Sequence, residues 1–158
     1  MVDVHSPNLR SNNMRAVRAK NTRPEIFLRK LLFSQGLRYR LHVDSLPGKP
    51  DIVLPKYHVA IFVNGCFWHA HNCYLFRLPN TRKDFWQNKI GINQNRDRRN
   101  WELLQRAGWR VLIVWECAIR GRLSWNKLEF SDHINVWIRT ENCSERLTEI
   151  CHLPENQI

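Results

Sequence analysis

Residues 51–63 read DIVLPKYHVAIFV, two apolar runs separated by Pro55-Lys56-Tyr57. Runs of β-branched and other apolar residues on either side of a proline-containing break are typical of a β-hairpin. In an antiparallel hairpin Asp51 lies opposite the far end of the second strand, near residues 61–63. The pattern therefore predicts a carboxylate beside the loop that starts at residue 64.

A second buried strand is predicted at residues 109–115, whose sequence WRVLIVW is a continuous apolar run. Such runs are typical of strands that are covered on both faces of a parallel or mixed sheet. Residues 82–107 predict a long helix that ends at Gly108. A strand, a crossover helix and a second strand normally lie parallel in one sheet, so the chain should leave Val63 and Trp115 at the same edge.

Further elements flank this sheet. Thr22-Arg23-Pro24-Glu25 is a helix-capping signature before an apolar run, and it predicts a helix over residues 24–35. Residues 37–43 alternate as in a strand, and residues 124–139 have apolar side chains at helical spacing. We therefore expect an α/β fold with a mixed central β-sheet flanked by helices.

Length and composition set the domain organisation. The chain has 158 residues, of which 43% are hydrophobic, and this suits one globular domain. We assign that domain to residues 22–140, with a basic N-terminal arm at 1–21 and a polar C-terminal tail at 141–158. No strand is predicted in the tail.

The charge balance points to a polyanionic partner. Lys and Arg number 25 against 14 Asp and Glu, a formal net charge of +11, so nucleic acid is the first candidate. An ordinary basic enzyme or a ribosome-associated protein is the alternative. The N-terminus lacks the apolar core of a signal peptide, and no window approaches the ~20 apolar residues of a membrane span. We expect a soluble intracellular protein with no membrane partner.

Cysteine and histidine cluster around one loop. Three of these residues follow the second hairpin strand, and a further cysteine follows the strand that should end beside that loop. Three sulfurs and one imidazole form a closed, tetrahedral structural zinc site. The candidate ligands are Cys66, His71, Cys73 and Cys117. The alternative is that the cysteines are buried thiols and the histidine lies on the surface; for Cys143 and Cys151, in the tail, this ordinary role is favoured.

An acidic and histidine site is predicted near Asp51. A carboxylate at the start of an inner strand can hold a hard cation that polarises a phosphodiester oxygen. His69 can act as a base, since the unperturbed pKa of histidine is ~6.5, and Glu25 can support it. Simpler roles are also open: a capping box for Glu25, a turn for Asp51 and a surface position for His69.

Aromatic residues lie beside a basic helix. Phe67 and Trp68 fall in the loop with no strand or helix face to fill, and Trp86 is near the start of the long helix. Rigidly held rings can enter an unstacked base step, which is easier to open when the bases are mispaired. Coverage of the sheet edge is the alternative. Phosphate contacts are expected from the same helix, at Lys89, Arg96, Arg98 and Arg99.

Taken together, these residues resemble one family, the very short patch repair (Vsr) DNA mismatch endonucleases. The resemblance covers about residues 10 to 120 in the family's order and spacing. The matching stretches are SNNMR at 11–15, LPGKPD at 46–51, GCFWH at 65–69, CYLF at 73–76, FW at 85–86, KI at 89–90, Asn93, RD at 96–97 and GWRVLIVWEC at 108–117.

The resemblance implies a restriction-endonuclease-like fold and a reaction. The reaction is a magnesium-dependent nick on the 5′ side of the T in a T:G mispair left by deamination of 5-methylcytosine. It implies that Asp51 and the main-chain carbonyl of Val63 bind Mg²⁺, with His69 as base and Glu25 in support. The family's structural Zn²⁺ ligands map onto Cys66, His71, Cys73 and Cys117.

The resemblance also implies how the protein meets its partners. Three rings map onto intercalating side chains, and a methionine on the arm enters from the other groove. The DNA-binding residues are Met14, Arg15, Phe67, Trp68, Trp86, Lys89, Asn93 and Arg96. We expect a monomeric, cytoplasmic bacterial enzyme that associates with the nucleoid and couples to mismatch-repair proteins.

Two departures and two alternative classes accompany this interpretation. Well-known members have Thr and His where this chain has Val63 and Asn64. A carbonyl ligand does not depend on its side chain, but Asn64 removes an imidazole from the phosphate site. A restriction-type endonuclease on paired DNA would cut both strands, and a zinc-containing DNA-binding protein without catalysis would not cut either.

Overall fold

The computed structural model describes residues 20–140 and 145–152. The expected contacts of Met14 and Arg15 and the role of Cys143 lie outside these residues. Within the described ranges no helix is both long and apolar enough to span a membrane.

The described residues form a five-stranded mixed sheet, flanked by helices. The strands are β1 (Arg40–Leu41), β2 (Ile52–Leu54), β3 (Val59–Asn64), β4 (Arg110–Trp115) and β5 (Leu147–Ile150). The helices are α1 (Arg23–Ser34), α2 (Lys83–Arg106), α3 (Glu116–Ile119) and α4 (Lys127–Arg139), and a 3₁₀ turn at Pro55–Tyr57 joins β2 to β3. The mixed α/β fold expected from the sequence is confirmed.

The sheet has the order β1-β2-β3-β4-β5. β1, β2 and β3 pair antiparallel, whereas β4 lies parallel to β3 across the crossover helix α2. Asn64 pairs with Trp115, so β3 and β4 end side by side. Both the predicted hairpin and the predicted parallel crossover are therefore confirmed.

Each face of the sheet carries its own apolar core. Alternate residues of β3 point to opposite faces, so Ile61 joins a cluster with Leu28 of α1 and Ile134 of α4. On the other face Phe62 joins a cluster that includes Leu104 of α2. The second cluster also contains Cys66 and Cys117, which ties the predicted zinc ligands to the core.

Two local predictions from the sequence differ from the structure. The strand expected at 37–43 is reduced to Arg40–Leu41, because the chain turns away at His42, whose φ of +46° is left-handed. The tail predicted without a strand contains β5, which pairs parallel with β4. Its sequence LTEI is too short and too polar to show a period, and tertiary contacts hold it: Ile150 is buried, and Glu149 accepts a 2.8 Å hydrogen bond from the Trp115 indole.

We predict a large stability difference between two substitutions in α4. Ile134 is fully buried between α4 and the sheet, so Ile134→Ala should lower the free energy of unfolding by about 2–5 kcal/mol. Leu128 on the same helix is 74% exposed, and Leu128→Ala should change it by less than about 0.5 kcal/mol. Urea unfolding followed by circular dichroism measures both. Equal losses for the two variants would contradict the packing described here.

Candidate functional site

Asp51 is held at the edge of the sheet by the hairpin register. Ile52 pairs with Ile61, so Asp51 lies beside the last residues of β3, as the sequence predicted. The Val63 N–H donates a 2.8 Å hydrogen bond to Asp51 Oδ2. One carboxylate oxygen is thus fixed by the main chain, and the other, Oδ1, faces the neighbouring side chains.

Glu25 joins Asp51 from the first turn of α1. Its side chain completes the predicted capping box with Thr22, and its Oε2 also accepts a 2.8 Å hydrogen bond from Arg29 Nη2. Glu25 is only 2% exposed, which is unusual for a residue whose role is capping alone. The capping role and a place in the site are therefore compatible.

His42 is a third member of this group, and sequence reasoning missed it. Glu25, His42 and Asp51 each offer one possible ligand atom, and these atoms all lie within 4.8 Å of one another. The main-chain N–H of His42 donates a hydrogen bond to the main-chain carbonyl of Asp51, which places the two residues opposite each other where β1 and β2 pair. This proximity depends on the turn at residues 43–50. The alternating pattern of the short strand before it could not predict that His42 would face Asp51.

Burial and charge shift the protonation of Asp51. Desolvation raises the pKa of Asp51 from 3.8 to about 6, the Val63 N–H opposes the rise, and the nearby Glu25 carboxylate adds to it. Electrostatic interactions with Arg29 and His69 lower the pKa of Asp51 in turn. His69 is thus close enough to Asp51 for the two groups to interact electrostatically.

His69 is paired with an aspartate on the long helix. Its Nδ1 forms a short hydrogen bond with the carboxylate of Asp97, which leaves Nε2 as the other ring nitrogen. Two further side chains of α2 hold the loop main chain, because Asn93 donates to the Trp68 carbonyl and Gln94 donates to the His69 carbonyl. Sequence reasoning gave Asp97 no role. Asn93 and Asp97 are four residues apart and so lie on the same face of the predicted helix, and this spacing could have indicated a shared role.

The four predicted zinc ligands come together in the structure. Their possible ligand atoms all lie within 4.8 Å of one another, with Cys66 and Cys117 fully buried. His71 Nδ1 lies 3.4 Å from the sulfur of Cys117 and 3.8 Å from that of Cys66. A hydrogen bond from Cys66 lowers the pKa of the Cys117 thiol, so a thiolate, the form that binds zinc, is favoured there.

The segment after β5 covers this cluster, which sequence reasoning also missed. Hydrogen bonds from His152 contribute to the lowered pKa of the Cys117 thiol. The His152 ring packs edge-on against His71 at 6.2 Å and against Tyr74 at 5.7 Å. On the other side the His71 ring stacks on Trp115 with centroids 4.2 Å apart. Aromatic rings therefore enclose the histidine of the cluster.

The predicted DNA-contacting rings form one cluster next to the predicted zinc ligands. Phe67 packs edge-on against Trp68 at 5.2 Å and against Trp86 at 5.3 Å, and the two tryptophan rings are 6.0 Å apart. The ammonium of Lys89 lies 5.6 Å from the Trp68 ring centre. Partly exposed rings beside a basic side chain are suited to stacking with bases.

A groove lies along the middle of α2, lined by residues between Asn95 and Leu103. It has a volume of about 500 Å³ and separates the helix from the turn at Pro47. Arg96 and Arg99 line it, and both are exposed. Guanidinium groups along an open groove are suited to phosphate oxygens.

Paired carboxylates, a histidine–aspartate pair and a basic aromatic surface together are typical of a metal-dependent nuclease. Comparison with known proteins agrees. The family described as DNA mismatch endonuclease Vsr matches residues 2–75. The DNA mismatch endonuclease Vsr of Escherichia coli is 49% identical over 97% of this chain and 99% of its own length. This chain belongs to the Vsr family of DNA mismatch endonucleases.

Two further relatives are named as type II nicking enzymes. One, from Xanthomonas oryzae, is 50% identical over 75% of this chain and 88% of its own length. The other, from Neisseria meningitidis, is 42% identical over 77% of this chain and 87% of its own length. The endonuclease class predicted from the sequence is confirmed.

We predict that Asp51→Asn stabilises the protein in the absence of added magnesium. Folding raises the pKa of Asp51, so the ionised carboxylate costs stability above pH ~6, and this cost fades as the pH falls towards 3.8. A rise from 3.8 to about 6 corresponds to at most about 3 kcal/mol. Urea unfolding at pH 7.5 should show a gain of about 1–3 kcal/mol, and at pH 3.5 little gain.

The asparagine can still accept the Val63 hydrogen bond through its amide oxygen, so the comparison isolates the buried charge. If the Asp51→Asn variant is no more stable than the parent at pH 7.5, then burial of the ionised carboxylate does not destabilise the protein.

Proposed function

We propose that this protein nicks one strand of duplex DNA on the 5′ side of the T in a T:G mispair, as in very short patch repair. The observation that carries the proposal is that Asp51, bonded to Val63 near the end of β3, lies beside Glu25, while the loop that leaves β3 carries the His69–Asp97 pair and an aromatic cluster. The 49% identity to the Escherichia coli mismatch endonuclease supports it. The arrangement of Asp51 on the hairpin is restriction-endonuclease-like.

The carboxylates of Glu25 and Asp51 suit a hard divalent cation, which prefers oxygen donors. We assign a Mg²⁺ ion to Asp51 and the main-chain carbonyl of Val63, whose backbone is already tied to that carboxylate. When bound, the ion supplies Lewis-acid polarisation of the scissile phosphodiester. Glu25 supports the site from a fixed position, because Thr22 and Arg29 hold both of its oxygens.

His69 takes the proton of the attacking water at Nε2, since Asp97 occupies Nδ1. An aspartate partner fixes the tautomer and stabilises the imidazolium that forms, as in other acid–base pairs. Because α2 carries Asp97 and also holds the loop main chain on both sides of His69, the base is delivered on a rigid support.

The second metal is a structural Zn²⁺ held by Cys66, His71, Cys73 and Cys117. Three sulfurs and one imidazole fill a tetrahedral shell and leave no position for water. Because Cys66 and Cys117 belong to the apolar core, a bound Zn²⁺ would tie the loop to the sheet. The loop then presents Phe67 and Trp68 in a fixed orientation.

DNA contacts follow from this support. Phe67, Trp68 and Trp86 enter the mispaired step, where weaker stacking and pairing lower the cost of opening it. Phosphate contacts come from Lys89, Asn93 and Arg96 along α2. We further propose that the enzyme acts as a monomer and cooperates with mismatch-repair proteins.

We predict a magnesium-dependent nick confined to mispaired DNA. Purified protein should cut the T-containing strand of a T:G duplex when Mg²⁺ is present and should leave the paired T:A duplex intact. Asp51→Ala should abolish the nick, and His69→Ala should reduce the rate at least about 100-fold, the contribution of a general base. Denaturing electrophoresis of end-labelled strands measures the cut.

The matched control is His133→Ala, on the surface of α4 and in contact with Trp125, which should nick at the parental rate. Cutting of both strands of paired DNA would instead indicate a restriction-type enzyme, and binding of T:G duplex without any cut would indicate a non-catalytic protein.

We predict that zinc binding depends on the four-residue cluster. Cys117→Ser should lose the bound zinc and much of the stability of the loop, since serine is a poor ligand for this ion. Cys151→Ser alters a half-buried free cysteine outside the four and should keep the metal. Atomic emission on purified protein gives the zinc content. Equal zinc in Cys117→Ser and in the parent would refute the assignment.

A further inference from the structure

His42 has no part in the proposed function, yet it lies between the two carboxylates. Its Nδ1 is 3.8 Å from Asp51 Oδ1, and its Nε2 is 3.8 Å from Glu25 Oε2. The ring is only 17% exposed, and the residue holds a left-handed backbone conformation with φ of +46°.

Arg29 determines which nitrogen of His42 carries the proton. Arg29 Nη2 lies 2.9 Å from His42 Nε2. A guanidinium group has donors only, so Nε2 must accept this hydrogen bond with its lone pair. A neutral imidazole has one lone pair, and the proton of His42 is therefore on Nδ1, which faces Asp51.

Arg29 is itself held rigidly. The same Nη2 donates to Glu25 Oε2 at 2.8 Å, and Nη1 donates to the Asn21 side chain at 2.6 Å. Its side chain is 12% exposed, so there is little room for the guanidinium to turn away from the imidazole. The orientation of the His42 ring follows from these contacts.

This tautomer argues against His42 as a metal ligand, although its distances to the carboxylates would allow one. A ligand nitrogen needs a free lone pair directed at the ion, and the lone pair of His42 is directed at Arg29. We propose that His42 is instead a positioning residue for the catalytic metal site, which it serves by presenting Nδ1–H to Asp51 Oδ1. The proposal rests on the assignment of Asp51 as a metal ligand.

The role of His42 follows from the hydrogen bonding of Asp51, whose Oδ1 has, within the described part of the chain, no main-chain donor like the one that Oδ2 has in Val63. Val63 fixes only Oδ2, and the Oδ1 side of the carboxylate would otherwise be free to rotate next to the like charge of Glu25. The Nδ1–H of His42 lies 3.8 Å from Oδ1, an electrostatic contact rather than a hydrogen bond, and it favours this orientation of the carboxylate, while Arg29 behind it offsets the two negative charges. The site then keeps an all-oxygen donor set, which suits Mg²⁺ or Mn²⁺ better than metals that prefer imidazole.

Two substitutions at position 42 separate this role from simple packing. In His42→Asn the side-chain amide nitrogen takes the place of Nδ1, so a donor still faces Asp51, and asparagine tolerates the left-handed backbone. His42→Ala removes the donor. His58→Ala is the matched control, because His58 also has a left-handed backbone, with φ of +50°, but lies at the far end of β3 against Trp109.

The test measures the Mg²⁺ concentration for half-maximal nicking of a T:G duplex, together with Mn²⁺ binding to DNA-free protein by electron paramagnetic resonance. His42→Ala should raise the required Mg²⁺ about 10- to 100-fold, as loss of an outer-shell partner does, and weaken Mn²⁺ binding in parallel. The rate at saturating Mg²⁺ should change much less. His42→Asn should recover most of the affinity, and His58→Ala should match the parent.

Three results would overturn the proposal: an unchanged metal affinity in His42→Ala, an equal loss in His42→Asn and His42→Ala, or a loss of similar size in His58→Ala. If the parent protein does not nick T:G duplex at all, the proposed function fails separately, and Mn²⁺ binding in the absence of DNA still decides the role of His42.

Discussion

The parallel pairing of β3 with β4 is the constraint on which the site depends. Because Asn64 pairs with Trp115, the loop that begins at residue 65 and the helix that begins at residue 116 emerge together. That single register brings Cys117 to the loop cysteines. On the other side of β3, antiparallel pairing with β2 brings Asp51 to the same edge. A slip of one residue would reverse the face of every side chain on β3 and separate these groups.

The two candidate metal sites have different physical characters, and the loop between them joins them. Cys66 and Cys117 are part of an apolar core, whereas Glu25, His42 and Asp51 are charged or polar groups. The short segment from residue 66 to residue 69 carries, in order, a cysteine of the candidate zinc site, two aromatic rings and the histidine paired with Asp97. A metal ion bound at the cysteine cluster would therefore also restrict the motion of the two rings and of His69, which follow within three residues.

The sequence predicted long-range features well where one strong pattern determined them. The apolar runs of β3 and β4 and the long polar helix between them were enough to place Cys117 beside the loop. Prediction from the sequence failed for short segments whose structure depends on tertiary contacts. β5 has four residues and is held by Trp115 and the core, and His42 reaches Asp51 only through the turn at residues 43–50. Neither segment has a hydrophobic period, so the sequence did not predict that β5 and His42 lie beside the two candidate metal sites.

Asn64 shows how the remaining groups divide the work. Its side chain is buried, with 6% exposure, and its Nδ2 atom has no hydrogen-bond partner among the described residues. An amide does not take up a proton near neutral pH, so Asn64 cannot serve as a base where well-known relatives have histidine. In the proposed mechanism, proton transfer then falls to His69, the imidazole with a carboxylate partner on helix α2. His42, whose lone pair is directed at Arg29, is poorly placed to replace it, and the two histidines near Asp51 therefore have separate tasks.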